Sequence, residues 1–224
     1  MVHTVFFDIG GTLVTGTSGL RMLAKRLDVS RESEIFEALR RKFMSIYLDE
    51  NPEKFYNIKE ILAITAAETA AAYGLPDVGD EVVKLYRTAY IDHGYLYDDT
   101  MTTLQRLKNE GIRIILISDA DDDVLVTQLK NLGIWDYFDE TIISSITRAY
   151  KPADKVVDIA LEYCKEPLSG VLFVGDTIVD IKTAQKMKVK SVLISRDNHF
   201  KLDADYKISG LDNLFDIISE INEN

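Results

Sequence analysis

VFFDIGGTLV, residues 5–14, is the stretch on which the fold turns. From Thr4 to Ile9 the residues are mostly β-branched and aromatic, and they run into Gly10 and Gly11, so they read as a buried strand entering a tight turn. Similar runs recur at Ile112–Ser118, Thr141–Ser144, Val171–Gly175 and Ser191–Ser195. Helical periods lie between them. Met101, Leu104 and Leu107 form one apolar face, with Thr100 placed to cap its start and Gly111 suited to the left-handed position past its end. A second helix is expected to open with Pro152 in its first turn and to carry Val156, Ala160 and Cys164 on one side; a third carries Ile178, Ile181 and Ala184. Leu211 to Ile221 reads as a closing helix. Strands alternating with helices predict an α/β core with a Rossmann-like parallel sheet.

About ninety residues separate the first two core strands, and their spacing is helical. Leu39, Phe43 and Ile46 make one stripe, Ile58, Ile61, Leu62 and Thr65 a second, and Val82, Leu85 and Ala89 a third. Several amphipathic helices are more than a crossover needs, so residues 15–95 are assigned to an inserted α-helical cap domain, and residues 1–14 and 96–224 to the core.

Bulk properties narrow the function. The formal charge of −11 and pI near 4.8 argue against a nucleic-acid partner, whose binding rests on clustered Lys and Arg. Residues 15–95 hold 11 basic and 13 acidic side chains, so −9 of the total belongs to the remainder. No apolar run approaches the roughly 20 residues of a membrane span, and the start resembles no signal peptide, which predicts a soluble, cytoplasmic protein without membrane attachment. Nothing in the sequence points to an oligomeric state. The single Cys164 excludes an internal disulfide and reads as core. His3, His93 and His199 show no ligand spacing. Arg40, Arg41 and Lys42 read as a solvated helix face.

Four features fall at strand ends, where open parallel sheets bind ligands: Asp8, Ser118 in IILISDA, Lys151 in AYKPAD, and Asp176 with Asp180 in VLFVGDTIVDI. Singly each has an ordinary structural explanation as a cap, a turn residue or a solvated side chain. In this order the sequence resembles the haloacid dehalogenase-like superfamily of hydrolases, over nearly the whole chain and including the helical insert. The resemblance implies Asp8 as nucleophile, attacking a small phosphorylated metabolite through an aspartyl-phosphate intermediate. It implies Mg²⁺ held by Asp8, the Gly10 carbonyl, Asp176 and Asp180. Ser118 and Lys151 would bind the phosphoryl group, Lys151 as a point charge in the catalytic set, and Thr12 would brace the loop at the substrate.

One position departs from that pattern. Most phosphatases of the superfamily carry a second Asp two residues after the nucleophile, as leaving-group acid and water base; here Gly10 stands there. Three readings follow: a phosphatase using good leaving groups or a borrowed acid; a phosphonatase-like enzyme forming a Schiff base on a cap lysine such as Lys42, Lys54 or Lys59; or a ligand-binding protein of low turnover. Asp119, Asp121, Asp122 and Asp123 form a second departure. They read as an acidic helix start, with Asp119 the alternative source of the missing proton chemistry.

Overall fold

The computed structural model describes residues 1–16, 18–49, 54–164 and 167–223. Strand β1 (Thr4–Phe7) is buried along its whole length, as a strand covered on both faces must be. The short β2 (Val14–Thr15) pairs antiparallel with β3 (Tyr95–Leu96). With β1, the strands β4 (Arg113–Ser118), β5 (Glu140–Ile143), β6 (Val171–Gly175), β7 (Lys190–Ile194) and β8 (Tyr206–Ile208) form one parallel sheet in the order β5-β4-β1-β6-β7-β8. The α/β Rossmann-like fold is as expected. Strands β8, β2 and β3 went unread, since two or three residues are too few to establish a period.

The helices in chain order are α1 (Gly19–Leu27), α2 (Glu32–Tyr47), α3 (Ile58–Tyr73), α4 (Gly79–Arg87), α5 (Thr100–Asn109), α6 (Asp122–Asn131), α7 (Ser144–Thr147), α8 (Asp154–Tyr163), α9 (Ile178–Met187) and α10 (Leu214–Glu223). Two compact units result. The sheet unit comprises Met1–Thr15, Tyr95–Asp119 and Leu132–Asn224; the helical unit comprises Gly16–Gly94 and Ala120–Asn131. The expected division left the second of these segments in the core, and α6 is where the two divisions differ. Beside its buried Val124, Leu125 and Leu129, this segment makes polar contacts within the helical unit. Fully buried Asp121 accepts the Lys59 N–H at the start of α3 (2.9 Å), Asp123 faces Lys59 and Arg87 at 3.4 and 3.2 Å, and Gln128 donates to the Tyr90 carbonyl. Sequence periodicity carries no trace of such contacts.

The core of the sheet unit centres on Phe6 of β1 and Phe173 of β6. They are register partners with stacked rings 6.1 Å apart, surrounded by Ile115, Ile117, Val156, Ala160 and Ala184. Truncating either ring would cost about 3–5 kcal/mol. In the helical unit Leu23, Ile35, Leu39, Ile61, Val82 and Ala89 are buried, while Phe43, Ile46 and Leu85 are half-buried. No helix among the described residues is long and apolar enough to cross a membrane.

Three local expectations change. Pro152 does not open a helix: the Lys151–Pro152 peptide is cis and α8 begins at Asp154. Thr100 is the first helical residue of α5, behind Asp99, and its hydroxyl donates to the Leu13 carbonyl at 2.7 Å. Cys164 follows the end of α8 and is only half-buried. Gly111 does take the left-handed conformation, at φ 73°.

Candidate active site

Strand order reverses at β1. The chain first builds outward through β4 and β5, then returns to place β6 on the other side. Loops leaving β1 and β6 therefore diverge, which opens a crevice at their carboxyl ends. Asp8 follows β1 and Asp176 follows β6, and the Asp8 N–H donates to the Val174 carbonyl at 3.0 Å. Two carboxylates more than 160 residues apart in sequence thus become neighbours.

Lys151 ties them to the rest of the site. The residue is 4% exposed, and its ammonium donates to Asp8 Oδ1 and Asp180 Oδ1, both at 2.6 Å, and reaches the Ile117 carbonyl at 3.4 Å. Its backbone N–H donates to Asp119 Oδ1 at 3.1 Å. Asp180 is fully buried on the first turn of α9, where its other oxygen accepts the Thr177 N–H (2.9 Å) and hydroxyl. It thus caps a helix start, as one reading of the motif expects, and it also faces the lysine, a contact the motif by itself does not imply. Ser118 lies buried at the end of β4.

Two glycines make this crowding possible. Gly11 has φ 79°, and a Cβ there would run into the Asp176 carboxylate; a Cβ on Gly175 would run into Asp180. Gly11 is thus required twice, for its left-handed backbone and for its lack of a side chain. Gly10 differs. It is exposed, its φ lies outside the left-handed region, and a Cβ there would meet nothing within 4 Å.

The electrostatics show an unbalanced site. Asp8, Asp176 and Asp180 offer oxygens all within 4.8 Å of one another, worth roughly 3–4 kcal/mol of repulsion per like-charged pair at an effective dielectric near 20. One ammonium cannot neutralise three carboxylates. Burial, reinforced by Asp180 and Asp176, pushes Asp8 up to about 8 despite Lys151. Burial and Asp180 push Asp176 up to about 6. Burial opposes the charge on Lys151, but Asp180, Asp8 and Asp119 outweigh it and hold the ammonium well above the ordinary lysine range. Asp176 Oδ1 is buried with no hydrogen-bond partner. An orphaned carboxylate oxygen beside two more carboxylates is a fit for a hard divalent cation, which favours oxygen ligands.

A model of the haloacid dehalogenase-like hydrolases matches residues 2–188. The chain belongs to this family. Among curated relatives of this haloacid dehalogenase-like hydrolase, a phosphoglycolate phosphatase of Pseudomonas fluorescens is 28% identical over 198 residues, 85% of this chain and 68% of the relative. A ribulose-1,5-bisphosphate 5-phosphatase of Halopiger xanaduensis is 26% identical over 160 residues, 65% and 67% of the two chains. The solved L-2-haloacid dehalogenase RSc1362 superposes with a TM-score of 0.79 at 17% identity, covering 97% of this chain and 99% of its own, a likeness of fold alone.

The structure brings Asp8, Lys151, Asp176 and Asp180 together as the motif order implies. Thr12 is buried, yet its hydroxyl finds no protein partner; its carbonyl is held by Arg196 (2.6 Å). Arg196 went unread. It follows β7, so the rule that singled out Asp8 and Asp176 by their strand ends applied equally to it. Among the cap lysines, Lys42 pairs with Glu68 at 2.6 Å and Lys59 with Asp123. Arg40 is likewise paired, with Glu37. His3 bonds the Thr4 hydroxyl and the Pro167 carbonyl, and His199 faces Asp197 on the surface.

Proposed function

We propose that the protein is a Mg²⁺-dependent phosphatase of small phosphorylated metabolites, with Asp8 as nucleophile and a preference for good leaving groups. The observation that carries this reading is the unpartnered Asp176 oxygen in a cluster of three carboxylates whose Asp8 member also contacts the Lys151 ammonium. Asp8, Asp176, Asp180 and the Gly10 carbonyl would hold the ion, which when bound supplies charge neutralisation for the phosphoryl oxygens.

An Asp8 carboxylate oxygen forms a bond to phosphorus while the bond to the leaving oxygen breaks, and that oxygen departs with the electron pair. Water then attacks the acyl phosphate, releasing phosphate and restoring Asp8. Lys151 holds positive charge at Asp8 throughout, and Ser118 hydrogen-bonds the phosphoryl group. Gly10 offers no proton, so the leaving group must be stable without one or draw a proton from water. The relatives' phosphatase names support the reaction class. The experiment is a screen for released phosphate over acyl, aryl and alkyl phosphates, at saturating Mg²⁺ and with chelator. Metal-dependent release is expected; Mg²⁺ binding without turnover would replace this reading with that of a ligand-binding protein.

Two further outcomes follow from the site. The first concerns pH. Because Asp8 and Asp176 have raised values in the folded state, the metal-free native protein binds more protons than the unfolded chain between about pH 4 and 8. Its melting temperature should therefore fall as pH rises through that window. Mg²⁺ relieves the repulsion and competes with those protons, so its stabilisation should be larger at pH 8 than at pH 5.5. At a hundredfold excess over Kd this amounts to about 2.7 kcal/mol, or roughly 5–10 °C for a chain of this size. Thermal melts at both pH values check it, and an equal Mg²⁺ increment at the two would count against the cluster as the metal site.

The second concerns Asp119. Its Oδ1 accepts the backbone N–H of Lys151, which supports a role in positioning the lysine. Asp119→Asn keeps that acceptor and should stay within a few-fold of the parent, while Asp119→Ala should lose about tenfold in kcat. A dead Asp119→Asn would instead assign the missing proton chemistry to this residue.

A further inference from the structure

Arg196 sits just past β7, on the opposite side of β6 from the nucleophile strand, yet its guanidinium reaches the turn that follows Asp8. Nη2 donates to the Thr12 carbonyl and Nη1 to Asp99 Oδ2, each at 2.6 Å, while the guanidinium carbon lies 3.9 Å from the centroid of the Tyr97 ring. Asp99 is itself anchored, because the same Oδ2 accepts the Leu211 N–H at 2.8 Å. The next carbonyl of the turn, that of Leu13, accepts both the Thr100 hydroxyl and the Tyr97 N–H, at 2.7 and 3.2 Å. Two consecutive carbonyls after Gly10-Gly11 are thus held from residues 97–100 and 196.

That arrangement is hard to explain as a device for stability. Arg196 Nε, Asp99 Oδ1 and Thr12 Oγ1 are all buried without a protein partner, and they belong to the three residues of this one contact. Buried polar groups left incompletely satisfied stabilise a fold less than apolar side chains of similar volume would. Something other than stability retains the contact. The turn it holds contains two adjacent glycines, the least conformationally restricted residues, one of them wedged beneath Asp176. Only a planar fork can satisfy a carboxylate and a carbonyl at once while its face lies on an aromatic ring; a lysine ammonium cannot.

We propose that Arg196 is a positioning residue that clamps the Gly10–Leu13 turn through the Thr12 carbonyl, so that the Gly10 carbonyl and Asp8 are held ready for one cation. The assignment rests on the reading of the site as a Mg²⁺ centre, and it concerns a residue outside the four sequence motifs. Groups that orient metal ligands from behind typically change affinity by about 10–100-fold when removed. Arg196→Met fills the same space without the fork. Because Asp99 and the Thr12 carbonyl lose their donor, it should lower the melting temperature by several degrees, and it should weaken Mg²⁺ binding by about tenfold in calorimetry with the metal alone and speed amide exchange at residues 11–14 beyond that of the rest of the sheet unit in the metal-free protein. Arg196→Lys keeps the charge opposite Asp99 but loses the fixed fork that spans Asp99 and the Thr12 carbonyl and the flat face on Tyr97, so its Mg²⁺ Kd should fall between the two. Unchanged Mg²⁺ affinity together with unchanged exchange in Arg196→Met would overturn the proposal; should that variant fail to fold, the same two measurements on Arg196→Lys decide it. A parent protein that binds no Mg²⁺ would end the metal reading, and the exchange at residues 11–14 would still decide the clamp by itself.

Discussion

Asp8→Asn is expected to lose the proposed phosphatase turnover by on the order of 10⁴ or more, because a carboxamide oxygen cannot form the proposed acyl phosphate. Asp8 is the carboxylate at the end of β1 with Lys151 at 2.6 Å, whereas Asp180 spends its two oxygens on that lysine and on Thr177 at the start of α9. The fold should survive. Replacing a buried carboxylate that is pushed up to about 8 removes one of three mutually repelling charges, so the metal-free variant should melt no lower than the parent, and higher at pH 8. Asp180 still pairs with Lys151, so the ammonium is not stranded. Acid-quenched parent enzyme should carry a phosphoryl group on the peptide containing Asp8, and the variant none. Residual turnover near the parent rate, or a phosphoryl group found on another residue, would remove Asp8 from the nucleophile's place.

Gly10→Asp is expected to raise alkyl-phosphate turnover by roughly 10²-fold, at the low end of acid–base contributions because the surrounding pocket has not been shaped for the new side chain. Before the substitution, rates should depend steeply on leaving-group pKa, with acyl and aryl phosphates well ahead of alkyl ones; afterwards that dependence should flatten. Strain does not stand in the way. Gly10 lies outside the left-handed region and a Cβ there meets nothing within 4 Å, so the variant should melt within a few degrees of the parent. The neighbouring position is a control of opposite sign: Gly11→Ala would put a methyl against the Asp176 carboxylate on a backbone with φ 79°. A folded Gly10→Asp with no gain on alkyl substrates, beside a parent indifferent to leaving group, would mean that another group already donates the proton. Asp119 would be the next residue to replace.

Much of the sheet unit was legible in advance because its evidence is local. A buried parallel strand needs an uninterrupted apolar run, and β1, β4 and β6 have one, ending in residues whose side chains cannot continue it: Asp8, Ser118 and the Gly175-Asp176 pair. Strand ends of an open parallel sheet are where ligands bind, so the order of Asp8, Ser118, Lys151 and Asp176-Asp180 carries the family and most of the candidate site. What failed locally did so for local reasons. Pro152 is compatible with a helix start by its φ alone, yet α8 begins two residues later, at Asp154.

By itself, then, the chain of residues determined the α/β class, the helical insert and the acidic strand ends, since hydrophobic period and turn chemistry act over neighbours and leave their mark in the order of residues. Tertiary structure alone decided which groups are paired and which are left wanting. That Asp180 spends both oxygens on Lys151 and Thr177 while Asp176 keeps one orphaned, that Asp119 serves the backbone of Lys151, that Asp121 belongs with α3, and that Arg196 reaches Thr12 are facts of approach between residues up to 184 positions apart. No spacing rule encodes them, because the distance between two side chains brought together by a sheet is set by strand order and register, and the hydrogen bond that forms there is short-ranged and directional.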